Sequence, residues 1–239
     1  MKTNPLIFHA LVICTIAGNA SAAMVAGDVI MIDFGSDAGN VSATTPQGNT
    51  IANPGNDIGA GNLVNTLGVT VSDVEFNTTV PGANVGENNG SSASSAYSAI
   101  FPDQAQNDDW FESNAGQFEF TFTGLDDSLI YSLTIGSYWP GGTDAQQDNR
   151  DTGWQVDAVQ LFTVSDSLSD SYVTFDNITV TGGTLTVSTW DFDADRDGSG
   201  DGNIISAVSA LQLTAVPEPS SLGLLGLGAL GLLARRKRG

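Results

Sequence analysis

Residues 118–123 read Phe-Glu-Phe-Thr-Phe-Thr, an apolar side chain at every second position. Only an extended strand with one face in a core and one in water satisfies that period, because a helix would scatter the three phenylalanines around its circumference. The turn residues Gly124-Leu125-Asp126-Asp127 follow, and then a second strand candidate, Leu129–Ile135. The spacing predicts that these two pair as an antiparallel hairpin. Further short strands are expected at Val29–Phe34, Val69–Phe76, Trp154–Phe162, Tyr172–Phe175, Ile178–Val180, Thr184–Phe192 and Ala207–Ala215. No stretch before residue 216 sustains a helical period with caps, and no repeat of fixed length is visible. Many short strands without helices predict an all-β fold, a jelly-roll-type antiparallel β-sandwich. Two polar stretches, Gly35–Asn62 and Thr78–Ser95, read as long surface loops, which at the end of a jelly roll either shape a ligand edge or simply connect strands.

The ends of the chain are built differently. Lys2, the apolar run 6–17 and Ala20-Ser21-Ala22 form the charged, apolar and small-x-small parts of a secretory signal peptide, expected over residues 1–22 and implying export by the Sec pathway. The sole histidine, His9, and the sole cysteine, Cys14, fall inside it. The exported chain thus has no thiol and no imidazole, so no disulfide staples the fold, and Ser-His-Asp, Cys-His and histidine-liganded zinc chemistry are ruled out. Between residues 23 and 216 stand 26 of the 27 acids against Arg150 and Arg196 alone, a formal charge of −24. Such a surface excludes a nucleic-acid partner, which needs clustered Lys and Arg, and disfavours anionic lipid.

Three constellations could carry function. Asp193-x-Asp195-x-Asp197-Gly198 has the spacing of the first half of a calcium loop, with Ser199 offering its backbone carbonyl and Asp201 acting directly or through water. Alternate carboxylates converge on a hard cation while the glycine permits the sharp turn. The twelfth position, where a bidentate Glu belongs, is Ile204, so the expected Ca2+ site is a loose one with a dissociation constant on the order of 10⁻⁴ to 10⁻³ M; the plain reading is a solvated acidic turn. Secondly, Trp110, Tyr138 and Trp139 sit in polar, loop-like surroundings where sugar rings could stack, whereas Trp154 and Trp190 are expected to pack within strands. Catalytic look-alikes fail on context. Asp151-Thr152-Gly153 follows Asn-Arg rather than an apolar strand and has no second copy, and Asp33-Phe34-Gly35 has no phosphate loop or lysine beside it. A carboxylate pair for glycoside cleavage has no residue to mark it, so a non-enzymatic protein is expected.

The third constellation is the tail, residues 216–239: Val216-Pro217-Glu218-Pro219-Ser220-Ser221, an apolar run Leu222–Ala234, then Arg235-Arg236-Lys237-Arg238. Thirteen residues at about 1.5 Å each reach about 20 Å, short of a hydrocarbon core of about 30 Å, and four glycines weaken the helix. The basic cluster would stay cytoplasmic, and the prolines would hold Pro217-Glu218-Pro219 extended on the outer face. A transient insertion into the inner membrane through a short C-terminal helix fits better than a permanent anchor.

This three-part tail resembles the PEP-CTERM sorting signal, also known as the ice-binding protein C-terminal domain. The resemblance implies an exosortase, a membrane cysteine protease, acting at Pro217, Glu218 and Pro219, and delivery to the cell surface or extracellular matrix. Ice binding itself would need flat threonine rows, which are not visible. Residues 23–215 are similar to galactose-binding-like and malectin-like jelly-roll modules, through Ile32–Ser36, the 118–131 stretch, Gly136-Ser137, Arg150 and the Ala207–Leu213 strand. That similarity implies a β-sandwich and an extracellular polysaccharide as ligand. Two alternatives stay open: a structural matrix protein without a defined ligand, and a carboxylate-dependent carbohydrate-active enzyme.

Overall fold

The structure is a computed structural model that describes residues 23–34, 49–51, 57–79, 85–89, 100–101, 108–112, 118–137, 152–163, 171–190 and 206–216. Thirteen strands and no helix occur among them. They are β1 Val29–Phe34, β2 Thr50–Ile51, β3 Glu75–Thr79, β4 Val85–Asn89, β5 Asp108–Glu112, β6 Glu119–Thr123 and β7 Ile130–Gly136. The remainder are β8 Thr152–Val156, β9 Val159–Thr163, β10 Tyr172–Thr179, β11 Leu185–Trp190, β12 Ser206–Val208 and β13 Ala210–Val216.

Two five-stranded sheets, ordered β10-β7-β13-β1-β2 and β3-β6-β11-β8-β9, face each other, and a three-stranded sheet β12-β5-β4 adjoins them. The described residues thus form an all-β sandwich, as the period-two runs predict. All strand pairs are antiparallel apart from β1 with β2, which run parallel. The interior is built by alternate residues: Ile30, Ile32 and Phe34 of β1 and Tyr131, Leu133 and Ile135 of β7 from one sheet, with Phe120 and Phe122 of β6, Phe118 just before it, and Trp154 from the other. Phe120 stands amid this packing, its ring centroid 4.9 Å from Phe34, 5.9 Å from Phe76, 5.7 Å from Phe118 and 6.2 Å from Trp154. The chain has a single cysteine, so no intrachain disulfide constrains it and the fold holds by packing, these aromatic contacts included.

The expected hairpin between residues 118–123 and 129–135 does not form. β6 pairs with β3 and β11 in one sheet, whereas β7 pairs with β10 and β13 in the other, so residues 124–129 arch across the sandwich. Local chemistry turns the chain out of the sheet plane. Gly124 adopts φ 76°, and the Tyr131 hydroxyl accepts the Asp126 N–H at 2.9 Å while donating to the Asp126 carbonyl at 3.1 Å. The arch is also fastened to the Gly182-Gly183 turn joining β10 to β11. Leu125 N–H donates to the Gly183 carbonyl at 3.0 Å, and the Asp127 carboxylate accepts the N–H groups of Gly182 and Gly183 at 2.9 and 2.7 Å.

Other boundaries differ for equally local reasons. The single strand expected over 154–162 is two, β8 and β9, folded back at Asp157-Ala158, where Asp157 takes φ 51°. The expected gap between 175 and 178 is a β-bulge within one strand, β10. The run 207–215 breaks at Ser209 into β12 and β13. Of residues 69–76 only Glu75 and Phe76 lie in a strand, β3, although Thr70 bridges to Val64. Residues 35–62 and 78–95, read as loops, contain β2 and β4, whose Thr-Ile and Val-Gly-Glu-Asn-Asn sequences lack an apolar alternation long enough to see.

Candidate functional site

Strand direction places the candidate residues. Thr123 and Ile130, and Thr179 and Leu185, are joined by the short connections just described, which sets one end of the sandwich. At the opposite end lie Phe34, Ser137, Ser171 and Ser209 of the first sheet and Phe118, Thr152, Thr163 and Trp190 of the second. The connections that leave from this second end after β1, β7, β9 and β11 each run eight residues or more, so we term it the loop end, although Ser209 alone joins β12 to β13 there. Tyr138 and Trp139 follow Ser137 directly, and the Asp193–Asp201 segment links Trp190 to Ser206; both lie outside the described residues. Trp110 lies on β5, its backbone in register with Val208 of β12 and Glu87 of β4. Because Ala207 of β12 is bonded to Thr152, this small sheet adjoins the loop end as well. The topology therefore starts the segments carrying Tyr138, Trp139 and Asp193–Asp201 from one end of the sandwich, with the sheet that carries Trp110 beside it. Pro217, Glu218 and Pro219 leave from the other end, since β13 runs away from the loop end to Val216.

Beneath the loop end the interior changes character. Continuing the inward alternation of their strands, the hydroxyls of Ser137, Ser171 and Ser209 and of Thr152, Thr163 and Thr189 replace aliphatic groups, each residue at most 2% exposed. Most are spoken for. Thr152 Oγ1 accepts the Ala207 N–H at 2.9 Å, Thr163 Oγ1 accepts Trp154 Nε1–H at 3.1 Å, and Thr189 Oγ1 accepts the Phe118 N–H at 2.8 Å. The hydroxyls of Ser137 and Ser171, neighbours through the Ser137 N–H to Ser171 carbonyl bond of 2.8 Å, find no partner among the described residues. A buried hydroxyl without a partner costs about 1–3 kcal/mol, so this pair is poised to accept a polar atom. Sequence reasoning missed this layer because single Ser and Thr residues at strand ends look like ordinary surface positions.

A concavity lies on the flank between β9 and β10, near the opposite end, with Asp157 and Asn177 on its rim. Neither residue stood out in the sequence, since the φ angles that distinguish them have no sequence signature beyond their residue types. The arch beside it is electrostatically set. Hydrogen bonds from the Ser128 hydroxyl and backbone N–H, at 2.7 and 2.8 Å, hold the Asp126 carboxyl below its ordinary pKa. Burial pushes the Tyr131 hydroxyl above its ordinary value, so it stays neutral and able to donate to the Asp126 carbonyl. Among the described residues no group of three acids is placed to hold a metal, and the expected calcium ligands fall outside them.

Residues 215–238 match the family described as the PEP-CTERM protein-sorting motif. The chain ends in a PEP-CTERM sorting motif. It begins on the last two residues of β13, so the motif issues straight from the sandwich without an intervening linker. The PEP-CTERM motif marks an exported protein sorted to the cell surface and implies processing by an exosortase. Among the described residues no helix is long and apolar enough to cross a membrane; the short helix expected in the tail lies outside them. No curated protein matches the chain. Among solved structures it is similar to plant receptor ectodomains of malectin-like type. With the plant receptor-like kinase FER the identity is 13% and the TM-score 0.42, over 80% of this chain and 42% of that one. With the plant receptor-like kinase ANX2 the values are 9% and 0.44, over 80% and 43%. With the ANXUR1 extracellular domain from Arabidopsis thaliana they are 10% and 0.39, over 58% and 35%. The chain thus spans less than half the length of these receptors.

Proposed function

We propose that this PEP-CTERM protein is a non-enzymatic, glycan-binding component of the cell surface or extracellular matrix, and that it binds polysaccharide at the loop end. The observation that carries the reading is the convergence of strand ends. The segments bearing Tyr138, Trp139 and Asp193–Asp201 start where the interior turns from aliphatic to hydroxyl-lined, with the sheet that carries Trp110 beside it. Aromatic faces would stack on the C–H faces of sugar rings, and hydroxyls beneath them would complete a polar floor. Ca2+ held by Asp193, Asp195, Asp197, Ser199 and Asp201 would relieve the mutual repulsion of these four closely spaced aspartates.

The direction of β13 supports an arrangement at the membrane. While the tail is inserted, after Sec export, the chain enters the sandwich at the end opposite the loops, so the glycan-binding end points outward. A formal charge of −24 between residues 23 and 216 keeps the body off an anionic leaflet. The test is a glycan array probed with the full chain, with Ca2+ and with EDTA. Binding that falls on Trp139→Ala or on chelation supports the proposal. No binding under either condition overturns it and leaves a structural matrix protein.

A further inference from the structure

Left-handed backbone is costly for most residues with a Cβ and least so for Asn and Asp, and this chain assigns it to glycine at six described positions, Gly27, Gly61, Gly68, Gly124, Gly182 and Gly183. Two described residues with side chains accept it, Asp157 at φ 51° and Asn177 at φ 59°. They lie in different sheets and 20 positions apart, one in the β8–β9 turn and the other in the bulge of β10. Both stand on the rim of the same cleft, of about 310 Å³, which opens where the edge strands β9 and β10 of the two sheets part. Neither side chain is engaged by the described residues. Asp and Asn tolerate this backbone best among residues with side chains, and at both places they also set a polar group on the rim of one cleft, which points to a role in binding.

The lining states the chemistry. Val159, 54% exposed, and the half-buried Leu161 give an aliphatic surface with the buried Val156 and Phe175 behind it, and Asp157, Asp176 and Asn177 give acceptors and one amide on the rim. The strand behind holds part of the rim in place: Ser132 Oγ donates to the Asp176 carboxylate at 2.7 Å, and the hydroxyls of Thr134 and Thr174 are 2.9 Å apart. Such preorganisation lowers the entropy lost on binding. No Lys or Arg lines the cleft, and two carboxylates do, so anionic ligands are repelled. A pyranose ring presents what remains: an apolar C–H face for the aliphatic surface and an edge of hydroxyl donors for the rim.

We infer that the flank cleft between β9 and β10 is a second sugar site, selective for a neutral pyranose unit and independent of the loop end. Two sites at opposite ends would let one copy tie two polysaccharide strands together, which raises avidity without a new contact. This goes beyond the loop-end reading and does not rest on it.

The experiment titrates the full chain, in a zwitterionic detergent that carries no sugar, with maltose, lactose and cellobiose and with glucuronate, read by saturation-transfer NMR. The informative variant is Asp157→Gly with Asn177→Gly, because glycine suits both φ values and removes the rim without straining the fold. We expect its urea midpoint to equal or exceed the parent's while neutral-sugar binding that survives Trp139→Ala weakens at least tenfold; glucuronate should bind at least tenfold more weakly than the neutral sugars. Unchanged sugar binding in the double variant overturns the inference and leaves the loop-end proposal standing. Equal binding of glucuronate, or no neutral sugar bound at millimolar concentration, overturns it too. A dimer in sedimentation that the double variant dissolves would instead assign the cleft to a second copy of the chain.

Discussion

Gly124 and Gly182 make a matched pair for testing what holds the arch between the sheets. Their φ angles, 76° and 68°, are nearly equal, so alanine at either position meets the same left-handed backbone cost of about 1–2 kcal/mol, partly offset by a less flexible unfolded chain. Their surroundings differ. A Cβ on Gly182 has no atom within 4 Å, whereas one on Gly124 would sit 1.7 Å from the Asp73 carbonyl oxygen and 2.6 Å from its carbon. Both are backbone atoms, so no side chain can rotate away. Relief means moving Asp73 outward, which drags the fully buried Val74 from the core at about 1.5–3 kcal/mol, or lifting the arch off Gly183 and Tyr131 at about 1 kcal/mol for each hydrogen bond lost. Gly124→Ala should therefore destabilise by about 3–5 kcal/mol, and Gly182→Ala by about 1 kcal/mol. Urea unfolding followed by tryptophan fluorescence measures both, with midpoints compared at unchanged slope. A difference under about 1 kcal/mol between the two variants would refute the reasoning, since it would mean that the Asp73 carbonyl yields freely.

Tyr131→Phe removes both hydrogen bonds to Asp126 while keeping the ring in the core, and should cost about 1–2 kcal/mol in the same urea assay. The Asp126 carboxyl is held below its ordinary value of 3.8 chiefly by the Ser128 hydroxyl, so its contribution is present above about that pH and is lost as pH falls through the lower folded value. Ser128→Ala should accordingly be less stable than the parent at neutral pH, with the gap closing in acid, as midpoints recorded from pH 7 to pH 2 would show. If the Asp-rich loop holds Ca2+, millimolar Ca2+ should raise the melting temperature, EDTA should reverse it, and Asp195→Asn should abolish the response; an identical melting curve in all conditions rules the ion out. Intact mass of protein recovered from the native surface should show a chain ending near Pro219, as exosortase processing requires, and a full-length tail would count against it.

Phe118, Phe120 and Phe122 all face the core at 0% exposure, as their spacing alone demands, and β1 spans the residues that its alternation picks out. The tail is legible for a different reason: a sorting signal is read in extended or membrane-inserted form, so its chemistry is its linear order, and residues 215–238 match without reference to the fold. Strand identity is likewise local, since a half-buried strand writes its two faces into alternate residues. Which strands become neighbours is not local. The turn after Thr123 reads as a hairpin, yet Gly124 fits against the Asp73 carbonyl, Asp127 grips Gly182 and Gly183 some 55 residues away, and Tyr131 locks the arch, all of which exist only once the two sheets have met. The same holds for function. Trp110, Tyr138 and Asp193–Asp201 are visible as residues, but only the antiparallel pairing starts the last two from a common end with the sheet of Trp110 beside it, and only the parting of β9 from β10 sets Asp157 beside Asn177. Sequence by itself determined the strand character of the body and the destination carried in the tail, because both are written in neighbouring residues. The tertiary structure decided the arch, the loop end and the flank cleft, because each depends on atoms that are distant along the chain.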